Sequence, residues 1–580
     1  MKWFMAILLM TSVLRAADTQ PAGIDWKSWS NSVFEQAKQE HKFVLLDLGT
    51  QWCHWCHVMD TTTYADPKVI QLLGEKYIVV RADADARPDL ASRYEDYGWP
   101  ATIVFNADGD EIVKRRGYMP PKEMASMLEA IIADPTPGPS VQPAETIHYG
   151  IEQALSSTVL KTIVQRFNET YDKELGAWGH TQKFMDWDCE QWALRLACRG
   201  DHDADHMARP TLDVQLNLLD PAWGGVYQYS TDDDWHHAHF EKIMQMQAQN
   251  LRLYSLGYAQ YHDPKYLRAA QEIQRFLKTF LLAHDGGFYT SQDADLIDGV
   301  HSADYFALDD AHRRARGIPR VDTHQYAREN GWAITGLTAL YEVSGDESAL
   351  QQAKAAAQWV IEHRALAGGG FSHDTHDAAG PYLGDTLAMG QAFLELHIAT
   401  ADPQWLGRAQ AAADFVIAHF LPAGDPGVMT SDIKSAGVFP PDRELDENVG
   451  VARWANLLFQ YSHRKSDEQL AKTAMKYLAT PQIALSRRVG VGGILLANDD
   501  LASPPLHVTV IAAHGNADAM ILYRAALAAP TDYKLLEWID PADPAAASYP
   551  HLAKPAAFVC TNNSCSAPLL TSEAVIQHVK

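Results

Sequence analysis

Trp52-Cys53-His54-Trp55-Cys56-His57 is the stretch on which the reading of this chain turns. The apolar run at 42–48 before it predicts a buried strand, and a helical pattern follows it. Cys53 then falls at a strand-to-helix turn, where the free N–H groups and the dipole of a helix N-terminus favour a thiolate over a thiol. His54 adds to that when protonated. A thiol lowered from about 8.5 toward 7 is a usable nucleophile near neutral pH. Cys56, one turn on, can attack the mixed disulfide and release the product.

The same letters spell Cys-x-x-Cys-His, the attachment signature of c-type haem, and a cysteine pair can also hold zinc if a second ligand cluster exists. The surroundings favour redox chemistry. Asp47 lies six residues before Cys53, where thioredoxins carry a buried carboxylate serving the second cysteine. Gly98-Trp99-Pro100-Ala101-Thr102 precedes an apolar strand at 103–105, where thioredoxins place a cis-proline loop. Trp99-Pro100 is therefore expected to be cis and to lie against Cys53. The order around these motifs is strand, CxxC helix, strand (77–82), helix (88–97), proline, two strands, helix (121–132), a complete thioredoxin-like unit. Cys53, Cys56, Asp47 and Pro100 are the candidate exchange residues, with Trp52, His54, Trp55 and His57 supporting them. The redox-active disulfide is the only prosthetic chemistry expected, without cofactor or metal.

A chain of 580 residues is too long for one core. With 47% apolar and 21% charged residues it has an ordinary globular composition. A net charge of −25 argues against nucleic acid or an anionic membrane surface as partner. Residues 1–17 read as an export signal, with Lys2, a short apolar core and Ala16-Ala17 for cleavage, so a periplasmic or extracellular location is expected. That core is too short to span a bilayer, and no other membrane span is visible.

The thioredoxin-like region is read over 24–134, and Pro135-Thr136-Pro137-Gly138-Pro139 opens a stiff linker over 135–147. From 148 to 530 the texture changes to amphipathic helices punctuated by glycine clusters at 176–179, 224–225, 286–287, 368–370, 427 and 492–493. Six beats with about two helices each predict six helical hairpins closed into an (α/α)6 toroid, its glycine turns gathered at one mouth. The fold class is thus multidomain, an α/β thioredoxin-like domain followed by an all-α toroid. Residues 531–580 form a C-terminal extension.

Several motifs resemble the thioredoxin-domain family that includes spermatogenesis-associated protein twenty, whose members join a thioredoxin-like domain to a six-hairpin, glycosidase-like toroid. The matching residues are Trp52 through Met59; Gly224-Gly225, Tyr229-Ser230, Trp235 and His239-Phe240-Glu241-Lys242; Gly286 through Tyr289 with Asp293-Ala294-Asp295; Glu329-Asn330-Gly331; and Val559-Cys560 through Cys565 with Pro568. Two departures stand out. Met246 replaces the aspartate usual before Gln247, and Ser302-Ala303-Asp304-Tyr305 replaces a longer glutamate-rich stretch.

Asp232, Asp234, Trp235, His239, Glu241, Asp293 and Asp295 are candidates for the toroid mouth. Paired carboxylates there would suit sugar hydrolysis, and helix capping is the structural alternative. Cys189 and Cys198 share one helix on opposite faces and cannot pair. Cys560 and Cys565 are expected to form a second disulfide or a redox pair, on a tail that returns toward the first domain. Three functions remain open. One is a thiol–disulfide oxidoreductase acting on protein thiols or disulfides, with the toroid choosing substrates. Another is a carbohydrate-active or carbohydrate-binding protein, and the third is a non-catalytic scaffold.

Overall fold

The computed structural model describes residues 23–143, 145–435, 437–561 and 564–579, so the expected export segment lies outside them. Four strands, β1 (Phe43–Gly49), β2 (Tyr77–Asp83), β3 (Ala101–Phe105) and β4 (Glu111–Arg116), form a sheet in the order β2-β1-β3-β4. β1 runs parallel to β2 and antiparallel to β3. Both faces of β1 are covered, which is why its sequence is a continuous apolar run. Leu45 faces a cluster with Met59, Leu73 and Leu128, while Val44, Leu46 and Leu48 face Phe34, Leu90 and Ile103. The CxxC helix α1 spans His54–Thr62, with Cys53 as its N-cap. The helix Pro121–Ala133 completes the unit. The proline linker lies along β4, with Gly138 N donating to Ile112 O at 2.8 Å.

Six helices line the inside of the second domain: α2 (Trp187–Cys198), α3 (Met244–Tyr261), α4 (Ala327–Ser344), α5 (Leu383–Thr400), α6 (Leu445–Ser462) and α7 (Gly492–Ala502). Each touches the next and α7 returns to α2, closing an (α/α)6 ring. Five outer helices follow their inner partners in sequence. The sixth outer position is filled by Ser157–Glu169, the first helix after the linker, packed on α7. The first and last helices of the toroid thus close the ring together.

Amides on the inner helices hold three of the glycine turns. Gln247 exchanges hydrogen bonds with Val226 N and O at 2.7 Å each. Asn330 does the same for Phe288 at 2.7 and 3.1 Å, and Asn448 for Val428 at 2.8 and 3.1 Å. These clamps satisfy buried backbone groups that the turn leaves unpaired. At Gly224 (φ 71°) a Cβ would stand 2.1 Å from the Glu272 carbonyl oxygen, so the turn requires glycine. The sixth beat differs from expectation. Gly492-Gly493 opens α7 and lets it approach the Asp188–Cys189 backbone, where a Cβ on Gly492 would meet atoms at 2.3 Å.

The chain ends in a second sheet: β5 (Leu506–Ile511), β6 (Lys534–Ile539), β7 (Ala556–Thr561) and β8 (Ser564–Cys565), in the order β6-β5-β7-β8. β5 is parallel to β6 through the helix α8 (Ala517–Leu527), antiparallel to β7, and β7 is antiparallel to β8. The helix α9 (Ser572–Val579) follows. Strand order and sense repeat those of β1–β4. The boundary expected at 530/531 therefore falls inside this unit, because β5 needs β6 and β7 to satisfy both of its edges.

The two sheets cap opposite mouths of the ring. The first domain meets residues that precede inner helices, such as Glu241 before α3 and His373 before α5. The second meets their far ends. Tyr523 Oη donates to Ile398 O near the end of α5 at 2.7 Å, and Lys534 Nζ pairs with Glu342 of α4 at 2.7 Å. Among the described residues, the C-terminal tail does not return to the first domain. An 18-residue inner helix, about 27 Å long, stands between the two caps.

Candidate functional site

Cys53 and Cys56 are joined in a disulfide at the start of α1. The Cys53 sulfur accepts from Cys56 N at 3.2 Å, the N-cap geometry that would also stabilise a thiolate there. Gly49 at the end of β1 leaves room for the partner sulfur, since a Cβ there would lie 2.9 Å from Cys56 Sγ. The Trp99-Pro100 peptide is cis. Asp47 is 6% exposed and accepts from Arg81 Nε at 2.9 Å, while Arg81 also pairs with Asp60 and lies over the Trp26 ring at 4.2 Å. The carboxylate beneath the CxxC helix is thus ion-paired.

Helix α1 is plugged into the toroid. Residues 291–292 pair with 242–243 on one side and with 321–322 on the other, and this small sheet aims Asp293, Asp295 and Arg320 at the cap. Asp295 Oδ1 accepts from His54 Nδ1 at 2.7 Å and its Oδ2 accepts from His57 Nδ1 at 3.1 Å. Glu241 Oε1 receives His54 N at 3.4 Å. Arg320 donates to Gln51 O at 2.7 Å and to Asp293 at 3.0 Å. Burial alone would push the His57 imidazole down, but its bond to Asp295 and the charge of Asp293 leave it raised. Asp295 is held at about 2 against its burial by the two histidines. Burial lifts Asp293 to about 6.

A second tie runs through Trp52, whose Nε1 donates to Asp85 at 2.7 Å. His373 Nε2 in turn donates to Asp85 O at 2.7 Å. Phe439 of the toroid packs against Trp29 and Phe105, with ring centroids 5.4 and 5.8 Å away. Cys53, beside this seam, is 4% exposed. Trp55, at 41% exposure, reaches solvent beside Tyr118.

The mouth candidates divide into two groups. Glu241, Asp293, Asp295 and His239 gather at the seam, His239 stacking on Tyr229 with centroids 4.4 Å apart. Asp232 and Asp234 do not join them. The pairing of Tyr229–Ser230 with Ala238–His239 makes a hairpin that carries 231–237 outward, and Asp234 spends its oxygens on His236 and His237 within that turn. Trp235 is buried and donates to Leu175 O at 2.7 Å. Cys560 and Cys565 are disulfide-bonded across β7 and β8. Sequence reasoning missed Arg320, Asp85 and Gly49, because each matters through a contact distant in sequence. The ligand atoms of His57, Asp293 and Asp298 lie within 4.8 Å of one another. Arg320 already lies there, its Nη2 3.0 Å from both Asp293 and the His57 ring nitrogen.

These features define a thioredoxin-like domain carrying a CxxC disulfide, seated on a helical toroid. Comparisons with known proteins agree with the resemblance read from the motifs. Residues 10–133 match the family Thioredox_DsbH, described as a protein of unknown function, DUF255. The chain is 28% identical over 307 residues to spermatogenesis-associated protein 20 of Mus musculus, a match covering 47% of this chain and 39% of that one. It thus spans about two-fifths of the length of that relative. It is 33% identical over 101 residues to thiol:disulfide interchange protein DsbD 2 of Pseudomonas aeruginosa, covering 17% of this chain and 16% of that protein. A solved cellobiose 2-epimerase from Bacillus thermoamylovorans aligns with 56% of this chain and 86% of its own, at 12% identity and a TM-score of 0.45.

Proposed function

We propose that this chain is a thiol–disulfide exchange protein working through Cys53 and Cys56, with the toroid governing what reaches them. The observation that carries the reading is a disulfide at a helix N-cap, together with a cis proline before β3, within a thioredoxin-like order of strands. A substrate thiolate attacks the Cys53 sulfur, and the Cys53–Cys56 bond breaks with its electron pair going to Cys56. The substrate's second thiolate then attacks the mixed disulfide and releases the Cys53 thiolate. The substrate has lost two electrons and formed its own disulfide, and the cysteine pair has gained them. The reverse sequence reduces a substrate disulfide. The substrate is a protein thiol or disulfide in an exported compartment, where both disulfides of this chain would persist.

The test is a Cys56→Ser variant, which should accumulate mixed disulfides through Cys53, identified by mass spectrometry, while Cys53→Ser accumulates none. Equal trapping by both variants, or by neither, rejects the reading. A carbohydrate-active mouth is less well supported, because Asp295, Asp293 and Glu241 are turned onto α1 and its neighbours. They serve docking in that arrangement rather than the flanking of a glycosidic bond.

A further inference from the structure

Between the two caps lies a chamber of about 650 Å³, within the range of small-molecule sites. Trp52, Asp85 and Trp99 bound it at one end, and Asp532, Tyr533 and Lys534 at the other. Its wall carries eleven carboxylates against four cationic side chains, Arg252, Arg328, Arg453 and Lys534. Those four are already engaged. Lys534 pairs with Glu342, Arg328 with Glu329, and Arg453 with Asp500 and Asp532. Arg252 donates to Gln191 at 2.8 Å and to Gln249 at 3.1 Å.

Of the seven remaining acids, Glu95, Glu444 and Asp446 pair with Arg487, Asp85 accepts from Trp52, and three are left without partners. Among the described residues, Asp188, Glu395 and Glu447 have neither a hydrogen-bond nor an ion-pair partner for their carboxylates. Glu329 is 3% exposed, and its Oε2 is unpaired while Oε1 takes Arg328. Aromatic side chains of Trp187 and Trp332 complete the wall. An unpaired carboxylate on a chamber wall attracts cations, and so does a face of indole such as Trp187, whereas Trp332 already carries the Arg328 guanidinium at 4.8 Å.

We propose that this chamber binds a small molecule bearing a protonated amine, received by one of these half-buried acids, Asp188 and Glu447 in the first turns of α2 and α6 or Glu395 in the far half of α5. The amine can be carried by an amino sugar or by a linear polyamine, since both present the same ammonium donors. The shortage of cations also shows in the acids themselves. Burial, with Glu342 and Asp532 nearby, lifts Glu395 to about 8 despite Lys534 and Arg252, and burial raises Asp188 and Glu447 as well. An ammonium ion entering the chamber would release protons from these groups.

The experiment is isothermal titration of the full chain with D-glucosamine and with spermidine, at about 0.15 M ionic strength so that surface attraction is screened. D-glucose and N-acetyl-D-glucosamine serve as neutral probes. Saturable one-to-one binding of at least one amine is expected, with no saturation by either neutral sugar. The amine that binds identifies the skeleton. Near pH 7, about the range where Glu395 is still protonated, binding should release protons, read by repeating the titration in buffers of different ionisation enthalpy. Glu395→Gln combined with Asp188→Asn and Glu447→Gln should weaken binding about tenfold or more. The proposal falls if a neutral sugar binds as tightly, if amine binding releases no protons, if the triple variant binds unchanged, or if no probe saturates. The proton release is measured on the unaltered protein, so a variant that fails to fold does not remove the test.

Discussion

His54 Nδ1 and Asp295 Oδ1 stand 2.7 Å apart across 241 residues of sequence, and the other oxygen of the same carboxylate holds His57. One toroid residue therefore fixes the first turn of the helix that carries the disulfide. The side chains are nearly inaccessible, so removing the histidines while the seam stays closed would leave a buried carboxylate without its partners, a loss of about 3–5 kcal/mol for such groups.

Asp295→Ala should accordingly loosen the seam. Amide exchange over 51–58 is expected to speed up, and the Cys53–Cys56 disulfide should be reduced faster by a small thiol, because its cover no longer stays in place. The cysteine pair itself is untouched. Unchanged exchange and an unchanged reduction rate would mean that the histidine contacts do not hold the domains together.

The same contacts set a pH window. His57 has a raised pKa, so its contribution is complete below about 6.5, its unfolded value, and is lost as pH rises through the folded value. Asp295, lowered from 3.8 to about 2, contributes above its unfolded value and loses that as pH falls through about 2. Asp293, raised to about 6, opposes docking as it ionises between the two values. Exchange protection of α1, measured on the oxidised protein and corrected for intrinsic rates, should be greatest at about pH 4, fall as Asp293 ionises toward about 6, and decline further above neutrality. Asp295→Asn should flatten that profile.

Gly49→Ala tests the space beneath the disulfide. The added methyl would stand 2.9 Å from Cys56 Sγ, closer than carbon and sulfur tolerate. The expected cost is about 1–3 kcal/mol, read as a lower Tm of the first domain. A variant as stable as the parent would show that α1 can shift without penalty.

Replacing Cys560 with Ser should cost about 2 kcal/mol locally, from the freed closure of a short hairpin, yet leave exchange at Cys53 intact. Mass spectrometry of trapped Cys56→Ser protein should contain no Cys53–Cys560 or Cys53–Cys565 link within one chain. The two disulfides belong to caps on opposite mouths, and such a link would contradict that arrangement.

Local sequence was sufficient for much of this protein. The apolar run ending at Gly49, the cysteine spacing and the Trp99-Pro100 pair specify a strand, a helix start and a proline loop through neighbours only a few residues away. Glycine clusters with helical periodicity on either side specify the ring, because each turn is made within one hairpin. Motif residues such as Gln247 and Asn330 proved to clamp those turns. What the sequence left open was decided across the fold. Asp232, Asp234, Asp293 and Asp295 look alike in the chain, but a short hairpin carries the first two outward and a three-stranded pairing carries the last two to α1. Likewise β5 reads as one more apolar stretch after the helices until β6 and β7 pair with it. Local periodicity tells which face of an element is apolar, whereas the partner of a buried charge is set by which distant element arrives beside it. The seam at Cys53 and the acidic chamber are of that second kind.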